Sequence, residues 1–194
     1  MTTEPYHHGN LRQALLDAAE CLLADKGLDE VSTRAVAKAV GVSHNAPYRH
    51  FPNRDALLAG LAQQGFERLI AAFQSALVGI SDPKSRLMAV SHAYMAFAAQ
   101  HRSIYLLMFS QVMNRLAFPG LDAAAQGALK CVCEIVEEIR GAEDAELHAK
   151  GAWAMVHGIA ILMIEERLMQ DTQYSDTLLN LALDNYIRGM TTGS

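Results

Sequence analysis

The chain is poor in the residues that would tie it to a secreted, metal-clustered or membrane-spanning architecture. Three cysteines among 194 residues are an odd and sparse set, so no disulfide framework is encoded. Cys131 and Cys133 stand two apart in a helical pattern, which splays their side chains by about 200° and keeps them from gripping one metal. Buried thiols in a reducing compartment are the expectation. The opening MTTEPYHHGN holds an acid and a proline with no apolar centre, unlike a secretory signal. The longest uncharged apolar run, Gly151 to Ile164, falls short of the roughly 20 residues a membrane span needs. A net charge of −5 argues against a globally basic coat for nucleic acid, although a local basic patch is still possible. The expectation is a soluble cytoplasmic protein with no membrane partner, no metal and no cofactor.

What is present is helix. Apolar residues make up 51% of the chain, enough for a sizeable core, and they recur at helical spacing without sustained alternation. Asn10 and Gln13 suit a capping box before a first helix carrying Leu11, Leu15, Ala18 and Leu22 on one face. Lys26-Gly27-Leu28 reads as its basic last turn and glycine stop. A second helix starts at Ser32 and stops at Gly41, a third spans Ser43–His50, and Asn53 caps a longer one towards Val78. Beyond the joint at Gly79–Pro83, helices are expected over 83–101, 103–113, 121–140, 145–169 and 174–188. The fold class is all-α: an N-terminal three-helix domain over 1–55, then a larger helical ligand-binding and dimerisation domain over 56–194.

The two short helices around Gly41 have helix-turn-helix spacing. Between Val31 and Asn53 there is no acid, while Arg34, Lys38 and Arg49 are present and Arg54 follows. The first helix and its turn collect Asp17, Glu20, Asp25, Asp29 and Glu30 instead. That asymmetry suits one face against a polyanion. Pro47 is tolerated because residues near a helix start lack an intrahelical amide partner, and a tight or distorted first turn is predicted there. His44, Asn45 and Arg49 are placed for base edges. Thr33, Arg34, Ser43, Tyr48, His50 and Arg54 complete the expected DNA contacts, with Tyr48, His50, Thr33 and Ser43 suited to phosphates. Taken singly, Arg34 and Lys38 could be an ordinary solvated face.

The run Val42-Ser43 followed by Tyr48, His50 and Phe51 resembles the TetR family of bacterial transcription regulators. The proline at 47, the arm Tyr6–Arg12, and Trp153 followed by His157-Gly158 look like a branch of it marked by Trp and His-Gly. The resemblance implies phosphate contacts at Tyr48 and His50, a core role for Phe51, a homodimer, and a small-molecule effector in the C-terminal domain.

The last two helices each carry apolar residues on two sides, so each must be buried twice. Gly158, Leu162, Leu179, Leu183, Tyr186 and Ile187 are therefore assigned to a dimer interface, which would match a near-palindromic double-stranded operator. The central helices are rich in methionine and aromatic residues, which suit an adaptable apolar cavity. Met88, His92, Met95, Tyr105, Met108, Phe109, Met113, Trp153 and His157 form the assigned ligand pocket. No ligand class is identified by them. A small helical enzyme would need a motif such as His-Glu-x-x-His or a glycine-rich phosphate loop, and neither occurs. The reading is a homodimeric repressor released from DNA by an effector. The alternative is a ligand-independent DNA-binding protein, or an activator that recruits a partner.

Overall fold

A computed structural model describes residues 11–167 and 172–192. Among these there are eight α-helices, three 3-10 segments and no strand. The helices are α1 Leu11–Lys26, α2 Thr33–Val40, α3 Arg54–Ala76, α4 Pro83–Gln100, α5 Arg102–Met108, α6 Pro119–Arg140, α7 Ala145–Ile164 and α8 Thr172–Thr192.

Local chemistry sets most boundaries. Ser32 Oγ accepts from the Ala35 amide at 3.1 Å and starts α2, and Gly41 stops it in the left-handed region at φ 77°. Asn53 Oδ1 accepts from the Ala56 amide at 2.8 Å and starts α3. Asp82 does the same for α4 through Ser85, with Pro83 in the first turn. Asn10, the expected cap of α1, lies outside the described residues. Gln13 instead bonds sideways, to Asp17 at 2.8 Å and to Gln64 on α3 at 2.8 Å.

Two expected helices are shorter than their patterns. The stretch 103–113 yields only α5, which ends at Met108. Ser110 returns its hydroxyl to the Leu107 carbonyl at 2.8 Å, and Asn114 opens a 3-10 turn at Arg115–Ala117; both side chains compete with the helix for backbone partners. The helix expected over 145–169 ends at Ile164, and Met169 lies outside the described residues. α7 is also long and apolar enough to cross a membrane by length and composition; here it packs among α4, α6 and α8.

α3 organises the packing. Its residues Leu57, Leu58, Leu61, Leu69 and Phe73 are fully enclosed, and it lies against α1, α4, α5 and α6. At Gly65 a Cβ atom would fall 2.7 Å from Ile104 Cγ2 and 2.6 Å from Met108 Sδ. Only glycine lets α5 sit that close to α3.

Candidate functional site

The segment after Gly41 departs from the predicted third helix. Instead of an α-helix over Ser43–His50 it is a turn followed by a 3-10 helix, Ala46–Arg49. The Ser43 carbonyl accepts from the Ala46 amide at 2.9 Å, and Asn45 accepts from Tyr48 at 3.3 Å. The Pro47 carbonyl accepts from both His50 and Phe51, at 2.9 and 2.8 Å. A proline without an N–H, which also biases Ala46 away from the helical region, favours these tighter closures. The predicted distortion of the first turn extends through the whole element.

This geometry sorts the side chains. Pro47 is buried, with Phe51 beneath it in the core, while Ser43, His44, Asn45, Tyr48, Arg49 and His50 are all exposed. The proline acts as the inward anchor of a short polar platform. Beside it, an open concavity is bounded by Leu11, Val42, Ser43, Asn45, Arg49 and His50. Arg34 and Lys38 stand exposed on α2.

Two of the expected contacts are used within the domain. Thr33 is buried and donates its hydroxyl to the Tyr48 phenol oxygen at 3.2 Å. Arg54 donates through Nε to the Val31 carbonyl and through Nη2 to the Leu28 carbonyl, each at 2.6 Å. Its guanidinium ties the turn before α2 to the start of α3, an arrangement no local pattern reveals.

The nine residues assigned to a ligand pocket separate into groups. Met95, Met108 and Met113 are buried core residues, and Met88 packs against that core. His92 lies on the seam between α4 and α8, where it meets Asn180 at 2.7 Å and Asp176 at 3.7 Å. Tyr105, Phe109, Trp153 and His157 do come together. Tyr94, outside the assigned set, completes their cluster. The Tyr94 and Tyr105 hydroxyls lie 2.8 and 2.7 Å from His157 Nδ1 and 3.1 Å from each other. Burial holds the His157 pKa below its ordinary value and pushes both phenols well above theirs, so a neutral histidine with two protonated phenols is the stable set.

Trp153 separates two cavities. One, of about 20 Å³, has room for a single water and is bounded by Phe73, Tyr94, Val132, Val156 and Trp153. The other, of about 160 Å³, is bounded by Phe66, Phe109, Leu129, Trp153 and the cations Arg115 and Lys150. Lys150 and Trp153 share a face of α7 at i, i+3, a spacing visible in the sequence. Arg115 carries no such signal, because an irregular segment delivers it.

The residues assigned to a dimer interface also divide. Leu179, Leu183 and Ile187 are buried within the chain itself, and Tyr186 packs over Gly151 while donating to the His148 carbonyl at 2.8 Å. Gly158 faces open space and Leu162 is exposed. Leu147, Ala154, Gly158 and Leu162 fall along one outward strip of α7, and Tyr174 and Leu181 along one of α8.

Comparison with known proteins agrees with this architecture. Residues 15–61 match the family profile described as bacterial regulatory proteins, tetR family. Residues 87–186, just over half of the chain, match the tetracyclin repressor-like C-terminal domain. The nucleoid occlusion factor SlmA of Vibrio campbellii is 33% identical over 93 residues, 47% of each chain, so the shared stretch spans about half of that relative. The HTH-type transcriptional regulator YobS of Bacillus subtilis is 22% identical over 185 residues, 94% of this chain and 93% of that one. A solved structure of a protein of unknown function from Rhodococcus sp. RHA1 superposes with a TM-score of 0.85 at 36% identity, covering 98% of this chain and all of the other. With its helix-turn-helix front and its helical C-terminal domain, the chain belongs to the TetR family of DNA-binding bacterial transcription regulators.

Proposed function

We propose that this regulator is a homodimeric repressor that holds a near-palindromic operator through the platform Ser43–His50 and leaves it when a small molecule occupies the C-terminal domain. The observation that carries the reading is the platform itself. Six exposed polar side chains stand on a backbone anchored by buried Pro47, inside an acid-free stretch flanked by Arg34 and Lys38. His44, Asn45 and Arg49 would meet base edges, with Ser43, Tyr48, His50 and Arg34 on phosphates. Thr33 would act through Tyr48. Arg54 would brace the domain rather than touch DNA.

The exposed apolar residues Leu147 and Leu162 on α7 and Tyr174 and Leu181 on α8 support a dimer, in which two reading heads would neutralise enough phosphates for tight binding. The larger cleft beside Trp153 supports an effector, since it is walled by Phe66 of α3, the helix that starts directly behind the platform. The spacing of Trp153 and His157-Gly158 supports the Trp/His-Gly branch of the family. Fluorescence anisotropy with duplexes from upstream of the protein's own gene, against scrambled DNA at several salt concentrations, tests the reading. Tight, salt-steep binding to one near-palindromic segment is the expected outcome. No binding to any duplex at low salt would overturn it.

A further inference from the structure

We propose that the cleft of about 160 Å³ between α3, α6 and α7 binds a small organic anion with an apolar body, its carboxylate held between Arg115 and Lys150. The inference rests on the reading that the C-terminal domain takes an effector, and it assigns that effector a chemical class and a head-group site.

The walls decide the body of the ligand. Phe66 of α3, Phe109 after α5, Leu129 of α6 and Trp153 of α7 come from four separate stretches of chain and converge on one space. Phe109 lies 5.5 Å from Phe66 and 6.4 Å from Trp153 between ring centroids, so the rings form a continuous apolar lining. At about 160 Å³ the enclosed space is close to that of an apolar cavity that holds one benzene-sized molecule, so a short apolar body fits.

The charged groups decide the head. Arg115 and Lys150 are the charged side chains that bound the cleft. Each is oriented by a carboxylate that does not: Arg115 Nε meets Asp122 Oδ1 at 2.9 Å, and Lys150 Nζ meets Glu146 Oε1 at 2.6 Å. The Lys150–Glu146 pair is exposed on both sides and contributes little to stability, while half-exposed Arg115 reaches a largely buried Asp122. Both pairs position the cations without using them up. The Arg115 pair runs through Nε at 2.9 Å, and the guanidinium carries four further N–H donors on its terminal amino groups. An ammonium offers three donors, of which Glu146 takes one. A ligand carboxylate would meet a planar fork and a point charge, the two cationic groups suited to it. A neutral ligand of the same shape would leave both unused.

The site is also placed to act. Phe66 belongs to the helix that Asn53 caps behind the DNA platform, so a bound ligand touches that helix directly. Trp153 is the chain's single tryptophan and reports on the cleft.

The test is titration of Trp153 fluorescence with octanoate and with octan-1-ol, which share an apolar body and differ in charge. The same titrations are run on the Arg115→Gln/Lys150→Gln double variant and on the charge-keeping Arg115→Lys/Lys150→Arg variant. Octanoate is expected to bind the native protein at least about tenfold tighter than octan-1-ol. That preference disappears in the first variant and persists in the second, while octan-1-ol binding stays constant. Equal binding of acid and alcohol, or a preference that survives Arg115→Gln/Lys150→Gln, overturns the anion assignment and leaves an apolar effector site standing. No response to either probe, in protein that still binds operator DNA, overturns both the anion assignment and this cleft as the effector site.

Discussion

The hydroxyl of Thr33, at the first position of α2, donates to the phenol oxygen of Tyr48 at 3.2 Å. Thr33 is buried and Tyr48 about half exposed, at 49%, so the bond joins the inside of the reading domain to its outer platform. Because Tyr48 accepts this bond, its own proton is left to donate outward, as a phosphate oxygen requires.

Tyr48→Phe separates these two functions. It removes the Thr33 bond and the outward proton but keeps the ring. Loss of one partly exposed hydrogen bond costs at most about 1 kcal/mol of stability. Loss of a bond to charged phosphate weakens DNA binding by about tenfold or more, similarly for all sequences. Urea unfolding and anisotropy on specific and scrambled duplexes measure the two effects. A large fall in stability with DNA binding intact would make Tyr48 structural.

Pro47→Ala restores an amide and removes a buried ring. The 3-10 platform then has a regular helix open to it, and the unfolded chain gains freedom, so stability falls by about 1 kcal/mol. Side-chain directions at His44, Asn45 and Arg49 change with the backbone. Base preference in a random-library selection is expected to shift more than overall affinity at low salt. An unaltered selection profile would show that the proline carries no information about the site.

Much of this organisation was readable beforehand, and what was not has a physical cause. Ser32, Gly41, Asn53 and the joint at Gly79–Pro83 announce themselves because caps and glycine stops act within a few residues. The destination of Arg54 was hidden, because its acceptors Val31 and Leu28 lie 23 and 26 residues away. Apolar stripes on α8 showed that a face is covered without showing by what. Leu179 and Leu183 are covered by their own chain. The grouping of Tyr94, Tyr105 and His157 depends on three helices meeting, which periodicity within each helix does not express.

Two leucines on α8 distinguish the monomer core from the proposed dimer face. Leu183 is fully buried and Leu181 is 59% exposed. Leu183→Ala is expected to cost about 2–5 kcal/mol of stability through the cavity it leaves. Leu181→Arg leaves the thermal midpoint of the separated chain nearly unchanged and dissociates the dimer in sedimentation. A Leu181→Arg protein that sediments as an intact dimer would place the contact elsewhere.

His157 makes stability depend on acidity. Burial holds its folded pKa below the ordinary 6.5, so between those two values the unfolded chain binds more protons than the folded one. Its contribution to stability is therefore complete above about pH 6.5 and declines as pH falls below it. Urea unfolding of the native protein and of His157→Phe, compared from about pH 8 to about pH 5, tests this. The acid-side decline is expected to be shallower in the variant, and parallel curves would show that other groups cause it.

α3 is 23 residues long and runs unbroken from behind the Ser43–His50 platform to the wall of the cleft at Phe66 and beyond. At 1.5 Å per residue it is a rod of about 34 Å. A tilt of about 5° at one end carries the other by about 3 Å, close to one base-pair rise. If the proposed dimer binds half-sites about 34–36 Å apart, a displacement of that size would put both reading heads out of step. In the proposed dimer, the leverage of one long helix would turn a movement the size of a side-chain adjustment into a loss of register with the DNA.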